Sequence, residues 1–69
     1  MLATILVCPL QAGFPLTRVR AEVEWGGQTF VAVCELTRPI RRGMLVEVGK
    51  LGEADSRRVM TMVRLLLAR

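Results

Sequence analysis

A chain of 69 residues with 52% apolar side chains and a net charge of +4 allows one small domain and excludes a disordered segment. A domain of this size buries only about 60% of its unfolded surface, so it is marginal unless a partner or crosslink supports it. The chain has no histidine, which excludes Ser–His and Cys–His nucleophile pairs and leaves a zinc site too few ligands.

"MLATILVCPL" opens the chain without a basic residue before its apolar run, and Pro9 breaks that run. It does not fit a signal peptide and is too short to span a bilayer, so it reads as the first strand of a cytoplasmic protein. Within it, "TILVCPL" (4–10) is β-branched and continuously apolar, the pattern of a strand buried on both faces. Gly13 and Pro15 in "QAGFP" then turn the chain.

"RVRAEVEW" (18–25) alternates, with Val19, Ala21, Val23 and Trp25 on one side and Arg18, Arg20, Glu22 and Glu24 on the other. Gly26-Gly27 is a two-residue hairpin signal, since primed turns need positive φ. Counting back from it pairs Trp25 with Gln28, Val23 with Phe30, Ala21 with Ala32, and Val19 with Cys34. The same count sets Arg18 opposite Glu35, a favourable cross-strand pair. It leaves Val31 and Val33 on the opposite face, where they suggest a second layer or a dimer interface.

"GMLVEVGKL" (43–51) predicts a fourth strand around Met44 to Val48, bounded by Gly43 and Gly49. Gly52 suits a helix N-cap, and Glu53 and Asp55 suit the first turn. A helix then runs through "EADSRRVMTMVRLLLAR" to the end, with Val59, Met62, Val63 and Leu66 as its core stripe. The expected architecture is a small twisted antiparallel sheet carrying one C-terminal helix. Cys8 and Cys34 lack CxxC spacing and read as reduced, buried thiols, although they allow one disulfide.

Catalytic signals are weak. Glu22 and Glu24 share a strand face with arginines, in a setting that looks solvated rather than tuned for acid–base work. No glycine-rich phosphate loop occurs. What remains is arginine: nine of the ten basic residues, all but Lys50. Arg18 and Arg20 lie on the second strand, and Arg38, Arg41 and Arg42 crowd the loop after the third. Such a cluster suits phosphate oxygens, while its alternative is a solvated charged edge that blocks strand-to-strand aggregation. A GC-rich genome also favours arginine whatever the function. No metal or cofactor is expected.

Three segments, covering nearly all of residues 1–69 as a single domain, resemble the CcdB/PemK superfamily of toxins from type II toxin–antitoxin pairs, which includes MazF. They are "ILVCPL", "VAVCELTRPI" and "GKLGEADSRRVMTMVRLLLA". The resemblance implies an α+β, mainly β fold: a small SH3-like barrel or sheet with a C-terminal helix, lacking the family's N-terminal part. It also implies a homodimer neutralised by a cognate antitoxin. PemK and MazF members are endoribonucleases, so RNA is the implied partner; the CcdB branch poisons DNA gyrase instead. The chain departs from both. It starts after the ribonuclease branch's N-terminal arginine segment, carries Gln11 where that branch has a threonine, and ends in "LAR" where CcdB has "WGI". Arg38 alone matches a family arginine. The expected RNA or antitoxin contacts are therefore Arg38, Arg18, Arg20, Arg41, Arg42 and Gln11, with the catalytic residues unassigned. A small β-barrel that binds a peptide without catalysis is the remaining alternative.

Overall fold

A computed structural model describes residues 4–68. The first three residues of the expected opening strand, and Arg69 at the expected helix end, lie outside the described residues. Five strands and one long helix succeed one another along the chain: β1 (Thr4–Val7), β2 (Leu10–Gln11), β3 (Ala21–Trp25), β4 (Gln28–Ala32), β5 (Arg38–Arg41) and α1 (Glu53–Leu67). Single 3-10 turns at Cys34–Leu36 and Arg42–Met44 flank β5. The fold is α+β and mainly β, as the sequence suggests. Its strands form two separate antiparallel sheets, β1–β5 and β2–β4–β3, rather than a closed barrel. No helix among the described residues is long and apolar enough to cross a membrane.

The hairpin forms as the glycine count predicts. Gly26 and Gly27 take φ of 62° and 77°, and the register is Trp25↔Gln28, Val23↔Phe30 and Ala21↔Ala32. Below Ala21 the pairing stops, which corrects two expectations. The Thr17 carbonyl accepts from Arg20 N–H (3.2 Å), so Arg18 and Val19 turn away instead of extending β3. Val19 therefore does not face Cys34, and Arg18 does not face Glu35; Arg20 takes that place.

The first strand is also shorter than expected. Pro9 has no N–H to give, so the ladder breaks at Cys8-Pro9 and β1 and β2 join different sheets. β1 alternates exposed and half-buried residues and is not buried on both faces.

Strand β4 is central, and Ala32 pairs with Leu10 on one side and Ala21 on the other. Cys8, Leu10, Val59, Met62, Val63 and Leu66 pack on the cluster of Ala21, Ala32 and Cys34, so the expected helix stripe does cover the sheet. Val31 and Val33, expected to face a second subunit, are 6% and 1% exposed within the single chain. They are core, and any dimer interface lies elsewhere.

The arginine-rich segment and residues 44–48 depart furthest from the sequence pattern. Arg38–Arg41 is not a loop but β5, paired with β1 as Val7↔Arg38, Leu6↔Pro39, Ile5↔Ile40 and Thr4↔Arg41. Met44 to Val48 is not a strand and pairs with nothing among the described residues. β1 has one open partner position, and the apolar Ile40 takes it ahead of the more strongly β-prone "LVEV". Chain reach decides this, because β5 starts one residue after the turn that ends β4.

Candidate functional site

The predicted arginine cluster divides into committed and free groups. Arg20 is committed. Its Nε lies 3.3 and 3.0 Å from the two Glu35 carboxylate oxygens, and its Nη2 lies 2.7 Å from Oε2. Its Nη1 donates to the Pro15 carbonyl at 3.1 Å, and the guanidinium lies 5.7 Å from the Phe14 ring centre. The hydrogen bonds from Arg20 hold the Glu35 carboxyl below its ordinary range, and Glu35 in turn raises Arg20. Such a group locks the 14–20 loop onto the end of β4 and is not free to grip a phosphate.

Two helix arginines are committed too. Arg57 pairs with Glu53 at 2.7 Å, and Arg58 pairs with Asp55 while donating to the Glu22 carbonyl at 2.7 Å. Together with Arg20 they line a hollow of about 780 Å³ between β3 and α1. Each already has a carboxylate, so this hollow is a structural seam.

Arg18, Arg38, Arg41 and Arg64 have no side-chain hydrogen bond or ion pair among the described residues. Arg18 lies in the exposed 17–20 turn, and Gln11 sits on the sheet face turned away from α1, paired in register with Val31. The structure does not bring these two residues to the β5 arginines. Arg42 begins the 3-10 turn after β5.

Arg38 is different. It stands opposite Val7 and next to Thr37, so it shares Val7's face of the β1–β5 ladder, while the other face, through Leu6, lines a cleft of about 310 Å³ between β1 and α1. Leu6, Cys8 and Thr37 form one wall of that cleft, while Val59, Met60, Val63, Arg64 and Leu67 form the other. The Thr37 hydroxyl oxygen is buried with no hydrogen-bond partner behind the cleft surface. An apolar floor with Arg64 at its side suits a ligand with an anionic group and a flat or apolar body.

Sequence reasoning did not single out Arg64 or Thr37. The signal for Arg64 was present: Met60, Arg64 and Leu67 follow the helical spacing of i, i+4, i+7, one row beside the core stripe. Thr37 carried none, because only the β1–β5 pairing turns it inward. Among the described residues no group of three potential metal ligands occurs.

Set against protein-family models, characterised proteins and solved structures, the chain matches none.

Proposed function

We propose that the protein binds single-stranded RNA at the β1–α1 cleft, as a toxin-like module of the CcdB/PemK kind controlled by a cognate antitoxin. The observation that supports this reading most is Arg64, without a side-chain partner among the described residues and lining the apolar cleft, with Arg38 next in the chain to the lining residue Thr37. Phosphate oxygens meet the guanidinium groups, and an unstacked base lies along the apolar floor. Arg41, at the far end of β5, extends the basic track along the backbone. The chain has no histidine, and Gln11 lies away from the cleft, so binding is assigned to it and strand cleavage is not.

Titrating a short single-stranded RNA at graded salt tests the proposal. Each phosphate contact contributes a slope of roughly −0.7 in log K against log salt. Arg38→Ala with Arg64→Ala is expected to weaken binding at least tenfold and flatten that slope by about 1.4. Unchanged affinity and slope would remove RNA from this cleft.

The proposal includes a homodimer, built on surface other than Val31 and Val33. Met44, which closes the 3-10 turn, and Val46 and Val48 beyond it are 75%, 86% and 78% exposed at alternate positions. Backbone groups of residues 46–51 make no hydrogen bond to other described backbone. Such a stripe suits strand addition by a second copy.

A further inference from the structure

The register of the central sheet brings two thiols near each other. Leu10 pairs with Ala32, and Val33 N–H donates to the Pro9 carbonyl at 2.9 Å, so the ladder continues one step past β2. Cys8 and Cys34 are the residues next to this bond on the two segments, where β2's ladder has ended and the 3-10 turn begins. Both lie on the helix-facing side, and Cys8 packs on the cluster that contains Cys34. Both are free thiols.

Cys34 opens the 3-10 turn after β4, and Cys8 packs on its cluster closely enough to raise the Cys34 thiol. A bridge between them requires Cα atoms within the range of about 4.4–6.8 Å that a disulfide accepts. Access is unequal. Cys34 is 2% exposed, whereas Cys8 is half-buried and forms part of the β1–α1 cleft wall. Arg64, on the opposite wall, offers a cation to carboxylates entering there.

We propose that Cys8 and Cys34 are a redox-active dithiol site, oxidised to an intrachain bridge by anionic low-molecular-weight disulfides of the glutathione type. The Cys8 thiolate attacks one sulfur of the small disulfide. A mixed disulfide forms, and one thiolate leaves and takes up the proton that Cys8 lost. Cys34 then gives up its proton and attacks the Cys8 sulfur. The protein bridge forms, and the second small thiolate departs and is protonated. Two protein thiols are oxidised and one small disulfide is reduced to two thiols, so atoms and electrons balance. Burial pushes Cys34 up to about 11, with the nearby Cys8 adding to the shift, which makes the second step the slower one. The site does not depend on the RNA reading.

Intact-mass measurement on reduced protein incubated with glutathione disulfide tests this. Wild type is expected to lose two hydrogens as a monomer and to lose both maleimide-reactive thiols. Cys34→Ser, or Cys34→Ala if the serine variant loses its circular-dichroism signal, is expected to stop with one glutathione on Cys8. Cys8→Ser is expected to gain no adduct while folded. Three results would overturn the proposal: both thiols still reactive after incubation, a wild-type adduct that never resolves, or a bridge found only between chains on a non-reducing gel.

Discussion

Cys34 shows how far one side chain's surroundings can move its chemistry. Burial, then the nearby Cys8, then the Glu35 carboxylate raise its thiol from 9.0 to about 11. The folded state therefore keeps its proton where the unfolded chain has released it. Stability from this group is complete below about pH 9 and is lost as pH rises toward about 11. Melting temperature in the reduced protein is expected to fall over that window, and Cys34→Ala is expected to flatten the fall. An equal fall in the variant would assign the effect to another group. At the same scale, Arg20 shows why counting arginines overstates a binding surface. Its contacts with Glu35, Pro15 and Phe14 use up the donors that a phosphate would need.

At the scale of elements, the outer edge of β3 is closed by α1. Glu24 N–H donates to the Asp55 carboxylate at 2.9 Å, and the Glu22 carbonyl accepts from Arg58 at 2.7 Å. Asp55 and Arg58 sit three apart on the helix, and Glu22 and Glu24 are the alternate residues whose backbone points away from β4. One helical turn thus satisfies the edge groups that a neighbouring strand would otherwise recruit. Asp55→Ala removes the acceptor for Glu24 N–H and a first-turn acid, and is expected to cost about 1–2 kcal/mol in urea unfolding. Arg58→Ala, at a more exposed position, is expected to cost under about 1 kcal/mol.

This edge also marks where sequence pattern stops being sufficient. The hairpin and the helix stripe were legible because each is set locally, by Gly26-Gly27 and by the spacing of Val59, Met62, Val63 and Leu66. The sheet partners were not. "LVEV" has the better strand composition, yet the choice went to "RPIR", because β1 is reached by the segment that leaves the β4 turn first. Arg38 was legible as a candidate, and the β1–α1 cleft was not, since Thr37 and Arg64 meet only through that non-local pairing. The Cys8–Cys34 proximity was hidden for the same reason: Cys34 was counted against Val19 across the hairpin, while its partner comes from the chain beside β2.

For the whole molecule, surface area is the deciding quantity. The chain exposes 5549 Å², whereas a compact monomer of this size presents about 4,300 Å². The surplus of about 1,200 Å² exceeds the roughly 800 Å² that each partner buries in a standard interface. Much of the exposed apolar surface lies on the Met44, Val46 and Val48 stripe and on Leu6, Met60 and Leu67 around the cleft mouth. Two copies pairing through residues 46–48 would satisfy the idle backbone of that segment and bury the Met44, Val46 and Val48 stripe against its twin. Each copy carries net charge +4, so their mutual repulsion is screened as salt rises. Sedimentation is expected to show dimer at micromolar concentration, strengthened by added salt, while RNA binding weakens over the same range. Val46→Lys places a charge at an exposed position, leaves the fold untouched and is expected to give monomer. A wild type that stays monomeric well above micromolar concentration, or a Val46→Lys variant that dimerises as well as wild type, would move the interface off this segment.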